Sequence, residues 1–144
     1  MWRALGWTRP RSKYALIAVT GGVLLATPVV LFVHWARWSM PQIRFWDLIL
    51  LGALLGPALE ESFFRGCLLP VLARTIGVPL AILACALLFA ALHKPPTAAQ
   101  WVSFTITGAV YSWMRVSSGS TAAAALMHAA YNVTLFLSQL LALS

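Results

Sequence analysis

The chain is poor in charge. Of its 144 residues, 9% are charged and three are acidic: Asp47, Glu60 and Glu61. A water-soluble domain typically carries about 25% charged residues, so composition excludes an ordinary soluble fold. Cysteine is scarce as well. Cys67 and Cys85 lie in apolar stretches with no Cys-x-x-Cys pair, which excludes a disulfide framework and leaves both as packing residues. Internal repeats, low-complexity segments, linkers and the His-Glu-x-x-His signature of zinc peptidases are all missing from the sequence. One domain over residues 1–144 is therefore expected.

What the chain has is apolar surface. Hydrophobic residues make up 61% of it and the mean hydropathy is +0.85, which makes lipid the solvent. The net charge of +7 does not indicate nucleic acid, because the basic residues punctuate the ends of hydrophobic runs, as Lys and Arg do around membrane spans. The Trp residues at 2, 7, 35, 38, 46, 101 and 113 also fall near run ends, where amphipathic rings favour the headgroup zone.

Backbone polar groups in lipid must be satisfied within their own segment, so the long runs predict helices. Five spans follow: Tyr14–Val33, Arg44–Ile76, Val78–His93, Thr97–Arg115 and Ser120–Leu143. Breakers separate them at Ser39-Met40-Pro41, Gly77 with Pro79, Pro95-Pro96 and Ser117–Ser120. The expected fold is an all-α polytopic bundle. Its first run is long enough to span and shows no A-x-A-like cleavage site, so it reads as a retained helix. The second span is expected to break at Gly56–Pro57 and restart there, because Pro suits the first turn of a helix. The glutamates would then sit near open first-turn amides that favour negative charge. On alternating sides, Arg3, Arg9, Arg11, Lys13, Arg65, Arg74 and Arg115 oppose Arg37, Arg44 and Lys94. Positive-inside counting puts the N-terminus in the cytoplasm and the C-terminus outside.

Two adjacent acids in an apolar segment are expensive, about 2.5–3.5 kcal/mol each on insertion scales, and intramembrane ionisable residues mark function. Glu61 and Arg65 stand four apart, the spacing of a simple helix ion pair. That spacing does not account for Glu60, which projects to another face. Glu60 is the candidate general base, with Glu61 and Arg65 in support. The three histidines differ. His34, beside Trp35, reads as interfacial, His93 ends the third span, and His128 lies mid-span with Asn132 four residues on. His128 and Asn132 either bond each other or a neighbouring helix, as buried polar groups must, or belong to a site. Glu60 lies 17 residues before Gly77 and His93 lies 16 after it, so both stand about 24–26 Å from that turn. Asn132 stands roughly 20 Å above the turn at Gly119. One pocket can therefore hold all four residues. A carboxylate with an imidazole deprotonates water, and an imidazole with an amide stabilises an oxyanion. Glu60, His93 and His128 are alternatively a possible zinc set. Ser62 has no Ser-His-acid order around it.

The run Glu60-Glu61-Ser62-Phe63-Phe64-Arg65 resembles the E-E-x-x-x-R motif of the CPBP intramembrane peptidases, the family of CAAX prenyl endopeptidases and Abi-type immunity proteins. Phe89 to His93 resembles its F-x-x-x-H motif, and His128 to Asn132 its H-x-x-x-N motif. The likeness covers 47–132, within a helical core over 44–143, and leaves the span at 14–33 outside. It implies that Glu60 activates water with His93, that His128 and Asn132 bind the oxyanion, and that Glu61 and Arg65 order the site, with no cofactor required. It also implies a membrane-anchored protein or peptide substrate in a bacterial inner membrane. A sortase-like role on C-terminal signals suits an outward-opening site. The competing readings are a non-catalytic immunity or interaction protein on the same fold and a proton-coupled transporter. The latter usually shows repeats or paired broken helices.

Overall fold

A computed structural model describes residues 3–35 and 48–142. The expected start of the second span at Arg44, the Ser39-Met40-Pro41 breaker, and residues Asp47, Arg37, Trp38, Trp46, Trp2 and Leu143 lie outside the described residues. Five helical runs are present, and no strand occurs among the described residues. We label them α1 (Ser12–Trp35), α2 (48–76), α3 (Val78–Leu92), α4 (Ala98–Ser118) and α5 (Thr121–Ala142). Helix α4 runs three residues past Arg115 before Gly119 ends it with a left-handed φ of 69°. At its other end the Thr97 hydroxyl accepts from the Gln100 N–H and caps the helix.

Every helix turns large apolar side chains outward, among them Leu24, Leu59, Leu83, Val102 and Leu137, while Glu61 and Arg65 are wholly enclosed. That inverts the pattern of a water-soluble protein and suits a lipid-facing exterior. Among the described residues, Ser12–Phe32 is long and apolar enough to cross a membrane unaided, and Val78–Leu92 is a shorter apolar helix. Polar side chains on the inward faces of α2, α4 and α5 lower the average hydropathy of those helices. Arg65 is buried inside the bundle, so it leaves the flanking-charge count.

The expected break in α2 takes another form. The run is π-helical over Leu48–Leu55, α-helical over Gly56–Glu61, π-helical over Ser62–Leu68 and α-helical over Leu69–Ile76. Leu55 is itself helical, with φ −72° and ψ −45°, so helix type changes at Gly56–Pro57 without a gap. Widening before a proline absorbs the missing donor without unwinding the chain. Glu60 and Glu61 therefore lie within continuous helix, and the free first-turn amides expected beside them are not there.

Helix α5 is central, packed along α1 on one side and the first half of α2 on the other, while α3 pairs with α4. Phe64, Phe89, Tyr111, Met114 and Met127 form the core. The α1–α5 contact depends on small residues, as close helix pairs in lipid commonly do. A Cβ at Gly22 would meet the Met127 carbonyl and lie 2.8 Å from Ala130 Cβ. Gly22→Leu is expected to cost about 1–3 kcal/mol by overpacking, read as a lower melting temperature in detergent.

The basic N-terminal segment is not a loose flank. Leu5 and Gly6 carbonyls accept from the Thr121 hydroxyl (2.6 Å) and the Thr121 N–H (2.8 Å), which caps the start of α5. Trp7 is a tether rather than simply an interfacial ring, donating from its indole to Ser62 Oγ at 2.9 Å. Cys85 packs in the core beside Leu69 and Ala81. Cys67, expected to pack likewise, is exposed, because it lies on the outer face of α2.

Candidate active site

The polar residues of α2 divide between two faces. Glu61 and Arg65 point inward and are fully buried, with Arg65 Nη1 donating to Glu61 Oε1 at 2.8 Å. The other two guanidinium nitrogens also donate. Nη2 donates to the Gly108 carbonyl (2.7 Å) and Nε to Ser112 Oγ (3.2 Å) on α4, and Ser112 in turn donates to Gly108 O. Phe64, Phe89 and Tyr111 surround the cation, with ring centres 4.9–5.4 Å from it. A charge removed from water needs this degree of satisfaction to be tolerated.

His128 on α5 completes the buried group, its Nδ1 lying 3.0 Å from the same Glu61 Oε1. That oxygen already accepts from Arg65, so it belongs to a carboxylate and Nδ1 carries the proton. The His128 ring stacks on Tyr111, centroids 4.8 Å apart and 20° between planes.

Glu60 points the other way, toward α3. Its Oε2 lies 3.9 Å from His93 Nε2, and the two side chains are 37% and 29% exposed. The equal heights read from residue counts correspond to this contact. The end of α3 sets the imidazole. There the helix tightens, with the His93 N–H bonded to Ala90 O, and the Phe89 carbonyl accepts from His93 Nδ1 at 2.8 Å. A carbonyl only accepts, so Nδ1 is protonated and Nε2 is the nitrogen that faces Glu60. Phe89 and Phe104 flank the ring at 4.4 and 4.5 Å. Lys94, at φ 47°, then turns the chain out of the helix.

Asn132 is committed to α2, its Nδ2 donating to the Gly52 carbonyl at 2.7 Å. In a π-helix a carbonyl accepts from the N–H five residues on. For Gly52 that residue is Pro57, which has no N–H. The proline thus supplies the acceptor that anchors Asn132. One amide N–H of Asn132 remains for another partner.

Glu60, His93, His128 and Asn132 all line one cavity of about 310 Å³. Val29 and Phe32 of α1 complete its wall, with Phe104, Tyr111, Tyr131 and Leu135. For the zinc set, no group of three or more His, Cys, Asp or Glu side chains placed to hold a metal ion occurs among the described residues, and His128 turns Nδ1 to Glu61. His34 lies in α1, but its side chain is outside the described ones. Sequence reasoning missed Gly108, Ser112, Tyr111 and Gly52. The i, i+4 pair Gly108–Ser112, small and polar in an apolar helix, was the available signal for the first two.

An ion pair caged inside a lipid-facing bundle, beside a carboxylate and an imidazole that open on one cavity, defines the site of a membrane-embedded hydrolase. Residues 41–134 match the family model for type II CAAX prenyl endopeptidases, Rce1-like. The chain belongs to that family of membrane endopeptidases, in agreement with the CPBP motifs. No curated protein and no solved structure matches the chain.

Proposed function

We propose that this chain hydrolyses a peptide bond of a membrane-anchored protein, using water activated by Glu60. The juxtaposition of Glu60 and His93 carries the reading. Glu60 Oε2 and His93 Nε2 stand 3.9 Å apart, too far for a direct hydrogen bond and close enough for one water to bridge them. A lone pair of that water is then free to attack. As its oxygen bonds the scissile carbonyl carbon, Glu60 takes the proton and later delivers it to the leaving amine, while His93 holds the water in register. Glu61, Arg65 and His128 form the fixed base of the site. No step passes through a metal. His93→Ala is expected to lower cleavage of a farnesylated CAAX reporter peptide in vesicles about 10²-fold. Unchanged turnover would remove His93 from the mechanism.

The cavity lies toward the Lys94–Thr97 end of the bundle, since it is lined by Phe32, His93 and Gln100. With Arg65 removed, Arg3, Arg9, Arg11, Lys13, Arg74 and Arg115 still outnumber Arg37, Arg44 and Lys94 on the opposite side. Positive-inside orientation then opens the site outward, which favours a sortase-like role on C-terminal anchoring signals of exported proteins in a bacterial inner membrane. In a Cys67→Ser background, Thr97→Cys is expected to react with a membrane-impermeant maleimide added outside intact cells, and Ser118→Cys only after permeabilisation. The reverse pattern contradicts the orientation and with it the exported substrate.

A further inference from the structure

A peptide drawn into an apolar cavity leaves behind the water that satisfied its backbone, and each amide group left unpaired there is costly. The cavity must therefore offer partners along the substrate and not only at the scissile bond. The reacting groups serve that bond, and the side chains of Val29, Phe32 and Leu135 carry no polar atom. What remains is one face of α4, where Gln100, Ser103 and Thr107 line the cavity at the three- and four-residue spacing that stacks side chains along a helix. Two of these are occupied. The Thr107 hydroxyl donates back to the Ser103 and Phe104 carbonyls, and Ser103 is hydrogen-bonded to the Tyr131 side chain on α5.

Gln100 is not. The Thr97 hydroxyl donates to its Oε1 at 2.9 Å, which holds the carboxamide by its oxygen. The Nε2 end, with its two N–H donors, has no hydrogen-bond partner among the described residues. Gln100 is half-buried in the cavity wall, so that end stays within reach of a ligand. Phe104, one turn on and on the same face, stacks on His93 with centroids 4.5 Å apart. Gln100 therefore stands about 6 Å of helical rise from the level of the reacting groups, the span of about two residues of extended chain. We propose that Gln100 is a substrate-binding residue whose Nε2 donates to a main-chain carbonyl one or two residues from the scissile bond. This rests on the peptidase reading above. A carbonyl inside a helix already accepts from the N–H four residues on, so Gln100 selects substrate that is extended next to the cleaved bond, whatever its side chains.

The test measures kcat and KM for a farnesylated CAAX reporter peptide in vesicles with wild type, Gln100→Leu and Glu60→Gln. Wild type and Gln100→Leu also receive reporters in which one main-chain amide near the scissile bond is a thioamide, whose sulfur is the weaker acceptor. Gln100→Leu is expected to raise KM about 3–10-fold, the worth of one hydrogen bond, with kcat within about twofold. One thioamide position is expected to raise KM similarly in wild type and to add nothing in Gln100→Leu. An unchanged KM in Gln100→Leu, a loss confined to kcat, or thioamide effects equal in the two proteins at every position overturns the assignment. Should the leucine variant fail to fold, Gln100→Glu takes its place with the same expectations, since it keeps the oxygen that Thr97 holds and has no N–H. An inactive Glu60→Gln beside an unchanged KM in Gln100→Leu removes Gln100 alone. A fully active Glu60→Gln, or a wild type that leaves the reporter uncut, removes the peptidase reading and Gln100 with it.

Discussion

Glu60→Gln is expected to reduce peptide cleavage by about 10²–10⁴-fold, the range a positioned general base contributes, while the protein inserts and folds normally. The substitution keeps size and hydrogen-bonding shape but removes the basic lone pair. Its structural cost is small because Glu60 makes no ion pair with Arg65 and lies partly exposed at the cavity. Glutamine also places an N–H₂ where the water must donate, so the water is misoriented as well as unactivated. Measurement of kcat/KM on the farnesylated reporter, together with the melting temperature in detergent, separates lost chemistry from lost fold. Activity near wild type with an unchanged melting temperature would falsify the role of Glu60 as base.

Arg65→Leu is expected to have the opposite profile, with fold and activity lost together. It strips the buried Glu61 carboxylate of its cation and leaves the Gly108 carbonyl without the donor that now reaches it. Breaking a buried pair from one side typically costs about 3–5 kcal/mol, a large part of the stability of a domain this size. The double variant Glu61→Gln/Arg65→Leu removes both charges, so it is expected to recover much of the melting temperature lost by Arg65→Leu. It is not expected to recover activity, because His128 no longer has a carboxylate to fix its tautomer and ring. If the double variant is no more stable than the single one, the pair is not the source of the loss.

Much of this is legible in the chain because lipid leaves few ways to place a charge. The pairing of Glu61 with Arg65 follows from their spacing on a helix, and the level match of Glu60 with His93 from residue counts across the turn at Gly77. Neither inference needs side-chain detail, only a constant rise per residue. The partners of Asn132 and His128 were not legible. Asn132 bonds a carbonyl exposed by a π-helical stretch, and local sequence does not distinguish a proline that breaks a helix from one that widens it. The role of the N-terminal segment was equally hidden, since its contacts to Thr121 and Ser62 join residues more than fifty apart. Basic composition alone describes it as a flank.

The sequence by itself determined the solvent, the helical class and the identity of the polar residues that must be accounted for. With so few charges in an apolar chain, the energetic penalty for each misplaced one is large enough to be read directly. The tertiary structure decided what each of those residues faces. Hydrogen bonds from Nδ1 to the Phe89 carbonyl and to Glu61 decide which ring nitrogen of His93 and of His128 is left for other partners. Which atom meets which is a matter of ångströms across three helices, and residue spacing along one helix does not carry that information.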